Sequence, residues 1–128
     1  MTVNKTKILI IDDEEDLCLL FKNILKPEGY TVFTAQNGYD GIKINQKRDP
    51  DIILLDLKMP GINGIETLRR IRKKDPGVIV IIITGYGDAA TIRDAADLNV
   101  YEYMAKPFNN ETVMMTIKDA AASKGKDE

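Results

Sequence analysis

Three stretches of the chain are apolar at nearly every position: Lys7–Ile11 (KILII), Ile52–Asp56 (IILLD) and residues 78–84 (VIVIIIT). A strand with one wet face alternates polar and apolar residues, whereas a strand covered on both faces does not. Such unbroken runs predict parallel strands inside a sheet that is packed on both sides. Two shorter runs, Thr31–Ala35 and residues 100–104, are read as further strands.

Helical patterns fill the intervals. Leu17, Leu20, Phe21 and Ile24 fall on one helical face, and Pro27 and Gly29 close that helix. Asn37-Gly38 opens a second helix with a weak stripe through Tyr39 and Ile42. Ile65, Leu68 and Ile71 mark a third, which ends before Asp75-Pro76-Gly77. Asp88 caps a fourth running through Ile92 and Ala96, and Asn109 caps a fifth with Val113, Ile117 and Ala120 facing inward. Strand and helix thus alternate five times. That order predicts an α/β fold: a doubly wound, five-stranded parallel sheet of order 2-1-3-4-5 with five helices, flavodoxin-like in topology. A single domain is expected over 1–128, with its core at 5–122 and a polar, frayed tail at 123–128.

Composition narrows the chemistry. The 128 residues are 44% hydrophobic and 30% charged, which favours a folded globule over a disordered chain. The longest aliphatic run, 78–83, is far short of a membrane span, and the N-terminus lacks a signal-peptide pattern. A net charge of −2 without a basic stripe argues against direct nucleic-acid binding. The lone Cys18 permits no internal disulfide and suits a reducing cytoplasm. The chain has no histidine, which removes the commonest general base and transition-metal ligand.

In a doubly wound sheet, ligands bind beyond the carboxyl ends of the strands, where the strand order reverses. The first strand ends in Asp12-Asp13, the third in Asp56, and the fourth in Thr84-Gly85. The fifth leads to Lys106-Pro107. Carboxylates ~4 Å apart repel by about 4 kcal/mol at an effective dielectric near 20. A hard divalent cation relieves that repulsion, and oxygen-only ligands point to Mg²⁺. A carboxylate nucleophile, a cation, a lysine and a hydroxyl together suit phosphoryl transfer, with Asp56 carrying the phosphoryl group.

The segments "ILIIDDEE", "PDIILLDLKMPGINGIE", "VIVIIITGYGD" and "YEYMAKPF" occur in an order and spacing that resemble the receiver domain of two-component response regulators. The resemblance implies that Asp56 is the phosphoacceptor. Asp13 and Asp56 would ligate Mg²⁺ through side-chain oxygens, with Asp12 acting mainly through a water and the Lys58 backbone carbonyl completing the set. Lys106 would contact the phosphoryl group and precede a cis Pro107. Thr84 would be the switch hydroxyl and Tyr103 the switch aromatic.

A histidine kinase or histidine phosphotransfer protein would donate the phosphoryl group. The fourth helix, fifth strand and fifth helix would form the output surface for a downstream effector or a second copy of the chain. The resemblance thus implies a cytoplasmic regulatory switch rather than an enzyme, limited to self-catalysed phosphoryl uptake and slow autodephosphorylation. It leaves open whether the chain works alone, as a relay intermediate or partner-binding switch, or belongs to a longer regulator.

Each residue also has a plainer reading. Asp12-Asp13 could cap a helix, Asp56 end a turn, Thr84 end a strand and Lys106-Pro107 form a surface turn. Their convergence at one switch point favours the joint site. Cys18 reads as a packing residue, Met114 and Met115 as core filler unless one of them sits on the docking face, and RRIRKK (69–74) as a solvated helix face. Asn99 replaces a glycine usual in the family, and asparagine tolerates the left-handed backbone needed there. Two other functions use a similar sheet. A haloacid-dehalogenase-type phosphohydrolase would need an acid two residues after the nucleophile, where this chain has Lys58. A flavin-binding module would place amides and hydroxyls after the first strand, where Asp12 and Asp13 would repel the phosphate.

Overall fold

The computed structural model describes residues 6–85 and 89–124. Its elements are β1 (Lys7–Ile11), α1 (Glu15–Leu25), β2 (Thr31–Ala35), α2 (Gly38–Arg48) and β3 (Ile52–Asp56), followed by α3 (Gly64–Lys74), β4 (Ile79–Thr84), α4 (Ala89–Asp94), β5 (Glu102–Ala105) and α5 (Asn110–Ser123). All strand pairs are parallel, in the expected order β2-β1-β3-β4-β5.

The unbroken apolar runs are explained by two cores. Side chains alternate across a strand, so Ile8, Ile10, Ile52, Leu54, Ile81 and Ile83 face one layer with Phe21, Val113 and Ile117. Leu9, Ile11, Ile53, Leu55, Val80 and Ile82 face the other with Ile65, Leu68 and Ile71. Fully burying one such side chain contributes about 1.5–3 kcal/mol, and the central strands bury nearly all of theirs. Asn37, Asn63 and Asn109 cap α2, α3 and α5, their side-chain oxygens accepting from Asp40 N, Glu66 N and Thr112 N at 2.8–2.9 Å.

Some local expectations shift. In α1 the buried stripe is Cys18, Phe21 and Leu25, while Leu20 is exposed. In α2 the inward positions are Gly38, Gly41 and Asn45, and Tyr39 is exposed. A Cβ on Gly41 would lie 2.5 Å from Ile11 Cδ1, so the helix backbone itself packs on β1. α4 stops at Asp94, short of Ala96, because the bonds Ala96 N→Arg93 O and Leu98 N→Ala95 O tighten the chain into turns. Asp88 and the Tyr86-Gly87 part of its loop lie outside the described residues, as do 125–128 of the tail. Ser123, placed in that tail by sequence, ends α5 and donates to Ala120 O.

β5 begins at Glu102 rather than at 100 because Asn99 turns the chain with φ +57°. That left-handed turn is the one expected of Asn99. Arg72 secures it: Arg69, Arg70, Lys73 and Lys74 form the solvated face expected of 69–74, and Arg72 is the exception. Its guanidinium is half-buried and donates to the carbonyls of Leu98, Asn99, Asp75, Pro76 and Val78. One planar fork thus ties the end of α3 to the approaches of β4 and β5. Arg72→Ala should cost about 2–4 kcal/mol in urea denaturation by stranding these acceptors. Arg72→Lys should recover little, since an ammonium cannot span them together.

Candidate functional site

Asp12 leaves β1 fully buried, its N–H donating to Ala35 O at 3.0 Å. Its Oδ1 accepts from Glu14 N at 2.9 Å. Its Oδ2 is buried with no hydrogen-bond partner among the described residues. β1 and β3 pair up to Ile11↔Leu55, so Asp12 and Asp56 emerge side by side at the next rung. Asp13 follows in the exposed loop. One carboxylate oxygen from each of Asp12, Asp13 and Asp56 lies within 4.8 Å of the others.

The turn after Asp56 is held tightly. Lys58 N donates to Asp56 Oδ1 at 3.2 Å, and Gly64 N to Leu57 O at 3.0 Å. A Cβ on Gly64 would meet Asp56 O and Leu57 Cα at 2.6 Å, so only glycine lets α3 start this close to the strand end. Gly61, with φ +78°, makes the intervening turn.

Lys106 approaches from the other side. Its N–H donates to Thr84 O at 2.8 Å, Lys106–Pro107 is cis, and Phe108 stacks on Phe21 of α1 with ring centroids 5.3 Å apart. The loop after β5 is therefore anchored on both sides of the lysine. Lys106 Nζ lies 3.9 Å from Asp56 Oδ2 and 3.5 Å from Glu14 Oε2.

These groups perturb one another. Burial pushes Asp12 up to about 6, aided by the Asp56 charge and opposed by the Glu14 N–H. Burial also raises Asp56, against the Lys58 N–H and Lys106, with Asp13 and Glu14 adding to the rise. Burial works against the Lys106 charge, yet Asp56, Asp12 and Glu14 outweigh it and raise the lysine's pKa.

Thr84 ends β4 buried. The register Ile82↔Tyr103 and Thr84↔Ala105 puts Thr84 and Tyr103 on one sheet face, two residues apart on neighbouring strands. Tyr103 is exposed and lines a groove of about 290 Å³ between β5 and α5, with Phe108, Thr112 and Thr116 among others.

The donor set fits a hard cation. It consists of carboxylate oxygens, with one buried oxygen of Asp12 lacking a partner among the described residues. The nearby Cys18 is not a competing thiolate ligand. Burial and then the Asp12 charge push its thiol up to about 11, and its Sγ donates to Asp12 O at 3.4 Å. Among the described residues, Glu14 is the member of this cluster that sequence reasoning did not single out. Its only signal was its place directly after Asp12-Asp13, where an acid also suits a helix start.

Comparison with known proteins agrees with this geometry. The family model for the response regulator receiver domain matches residues 8–118. Sporulation initiation phosphotransferase F of Bacillus subtilis (strain 168) is 38% identical over 112 residues, covering 88% of this chain and 90% of that protein. Transcriptional regulatory protein ResD of the same organism is 36% identical over 115 residues, covering 90% of this chain but 48% of that protein. The crystal structure of a response regulator receiver domain protein from Clostridium thermocellum superimposes with a TM-score of 0.87 at 34% identity, covering 94% of this chain and 97% of that one. Among the described residues, no helix is long and apolar enough to cross a membrane.

Proposed function

The chain belongs to the response regulator receiver domain family, and from that premise we propose a phosphorylation-dependent signalling switch whose acceptor is Asp56. The observation that carries this reading is the gathering of Asp12, Asp13 and Asp56, with Lys106 3.9 Å from the Asp56 carboxylate. An Asp56 oxygen attacks phosphorus, a new O–P bond forms, and the donor's bond to phosphorus breaks. The leaving group keeps the electron pair, and nothing is oxidised or reduced. The donor is a phosphohistidine on a kinase or phosphotransfer protein. Asp12, Asp13, Asp56 and the Lys58 carbonyl would hold Mg²⁺, which supplies neutralisation of the charge that builds up as phosphoryl oxygens enter an acidic pocket.

The acquired charge, about −1.5 to −2, then recruits Lys106 and the Thr84 hydroxyl. Movement of Thr84 frees space on the sheet face it shares with Tyr103, and the Tyr103 ring turns inward. This changes the α4, β5 and α5 surface that a partner, an output domain or a second copy reads. The similarity to a protein named a phosphotransferase and to one named a transcriptional regulator supports a relay role and control of an output domain alike. The protein is then a regulatory phosphoacceptor: it modifies only itself and slowly sheds its own phosphoryl group.

Incubation with acetyl phosphate, with and without Mg²⁺, followed by intact mass tests the reading. A phosphoryl adduct should form only with Mg²⁺, and metal-independent uptake counts against the site. Lys106→Ala should still gain the adduct, yet its Tyr103 ring signals in NMR should stay in the resting position. Normal movement of Tyr103 in that variant would remove the lysine from the switch.

A further inference from the structure

Glu14 occupies the N-cap position of α1, but its side chain makes no capping hydrogen bond. Its backbone N–H is committed to Asp12 Oδ1. The side chain instead reaches a residue 92 positions away, placing Oε2 3.5 Å from Lys106 Nζ. That is closer than the 3.9 Å from Lys106 to Asp56, so the lysine is shared between two carboxylates. We propose that Glu14 is a positioning residue that restrains Lys106 in the resting state and sets how readily Asp56 takes up a phosphoryl group.

The proposal rests on the phosphoacceptor reading above and follows from charge. Glu14 is mostly exposed and Lys106 about one-third exposed, so their attraction is partly screened and modest. A phosphoryl group on Asp56 offers more charge and more acceptor oxygens than the Glu14 carboxylate, and draws Lys106 away. Glu14 opposes that outcome twice, by holding the lysine and by repelling the incoming anion. The same negative charge attracts a divalent cation. Removing it should therefore move phosphoryl uptake and Mg²⁺ affinity in opposite directions, which a merely structural role would not do.

The test uses the whole chain, with Mg²⁺ affinity measured by titration calorimetry and uptake from acetyl phosphate at saturating Mg²⁺ measured by intact mass. Glu14→Gln should speed uptake about two- to five-fold and weaken Mg²⁺ binding by a similar factor, the scale of an exposed ion pair. Both effects should shrink as salt rises. Glu14→Asp keeps the charge but loses the reach of one methylene. It should hold Mg²⁺ like the wild type while still speeding uptake. If Glu14→Gln leaves both quantities unchanged, or moves both in the same direction, the proposal fails while a Mg²⁺-dependent adduct in the wild type still supports the acceptor role of Asp56. If the wild type forms no adduct, the acceptor reading fails and this proposal goes with it.

Discussion

Asp56→Asn will take up no phosphoryl group above background, and without divalent metal it will resist denaturant better than the wild type. The first result follows because the amide lacks the anionic oxygen that attacks phosphorus. The second follows from the resting electrostatics. Burial raises the Asp56 pKa, and Asp13 and Glu14 add to the rise, so the ionised carboxylate is less comfortable folded than unfolded. Asparagine keeps an oxygen to accept from Lys58 N and sheds the charge. Urea midpoints in a chelating buffer check the stability. Intact mass after acetyl phosphate checks the chemistry. A variant that still gains the adduct would place the acceptor elsewhere, and one less stable than the wild type would show that the Lys106 contact outweighs burial.

Acidification should stabilise the metal-free protein. The Asp12 pKa is about 6 in the folded chain, against 3.8 ordinarily. A group raised in this way contributes its stability fully below the unfolded pKa, and loses it as pH rises through the folded one. Lowering the pH from 7 to 4 should therefore add about 2 kcal/mol from this group alone. Asp56, also raised, works in the same direction. Excess Mg²⁺ should flatten the profile, because a cation bound at one hundred times its Kd adds about 2.7 kcal/mol to the ionised, metal-loaded form. Asp12→Asn should flatten it too, since an amide in place of the raised carboxyl takes up no proton in this range. Thermal melts across that pH range, with and without Mg²⁺, decide the matter. A metal-free melting temperature that falls steadily from pH 7 to 5 would refute the assignment.

The fold was legible because the strongest signals in the sequence are also the strongest physical constraints. Ile8 to Ile11 and Ile52 to Leu55 are apolar on both faces, and both faces are buried. The acidic cluster was legible for the same reason: a rigid central strand leaves its next residue in one place, and Asp12 and Asp56 each follow such a strand. Features set by long side chains or by missing ones were not. Arg72 looked like one more cation on a wet helix, because the carbonyls of Leu98 and Asn99 that it serves come together only in the folded chain. Glu14 finds Lys106 across the sheet, which no local pattern records. In α2, Gly38 and Gly41 carry the close packing, and hydrophobic periodicity gives little weight to a residue without a side chain.

For Asp56 to act as the acceptor, acids from β1 and β3 must gather around one cation and leave an Asp56 oxygen to receive phosphorus. Locating the phosphoryl group tests it most directly. The protein would be exposed to acetyl phosphate with or without Mg²⁺, reduced with borohydride to trap the acyl phosphate, and sequenced by peptide mass spectrometry. The reduced residue should fall at position 56, and only when Mg²⁺ was present. A label on Asp12 or Asp13, or one on Asp56 that ignores the metal, would contradict it.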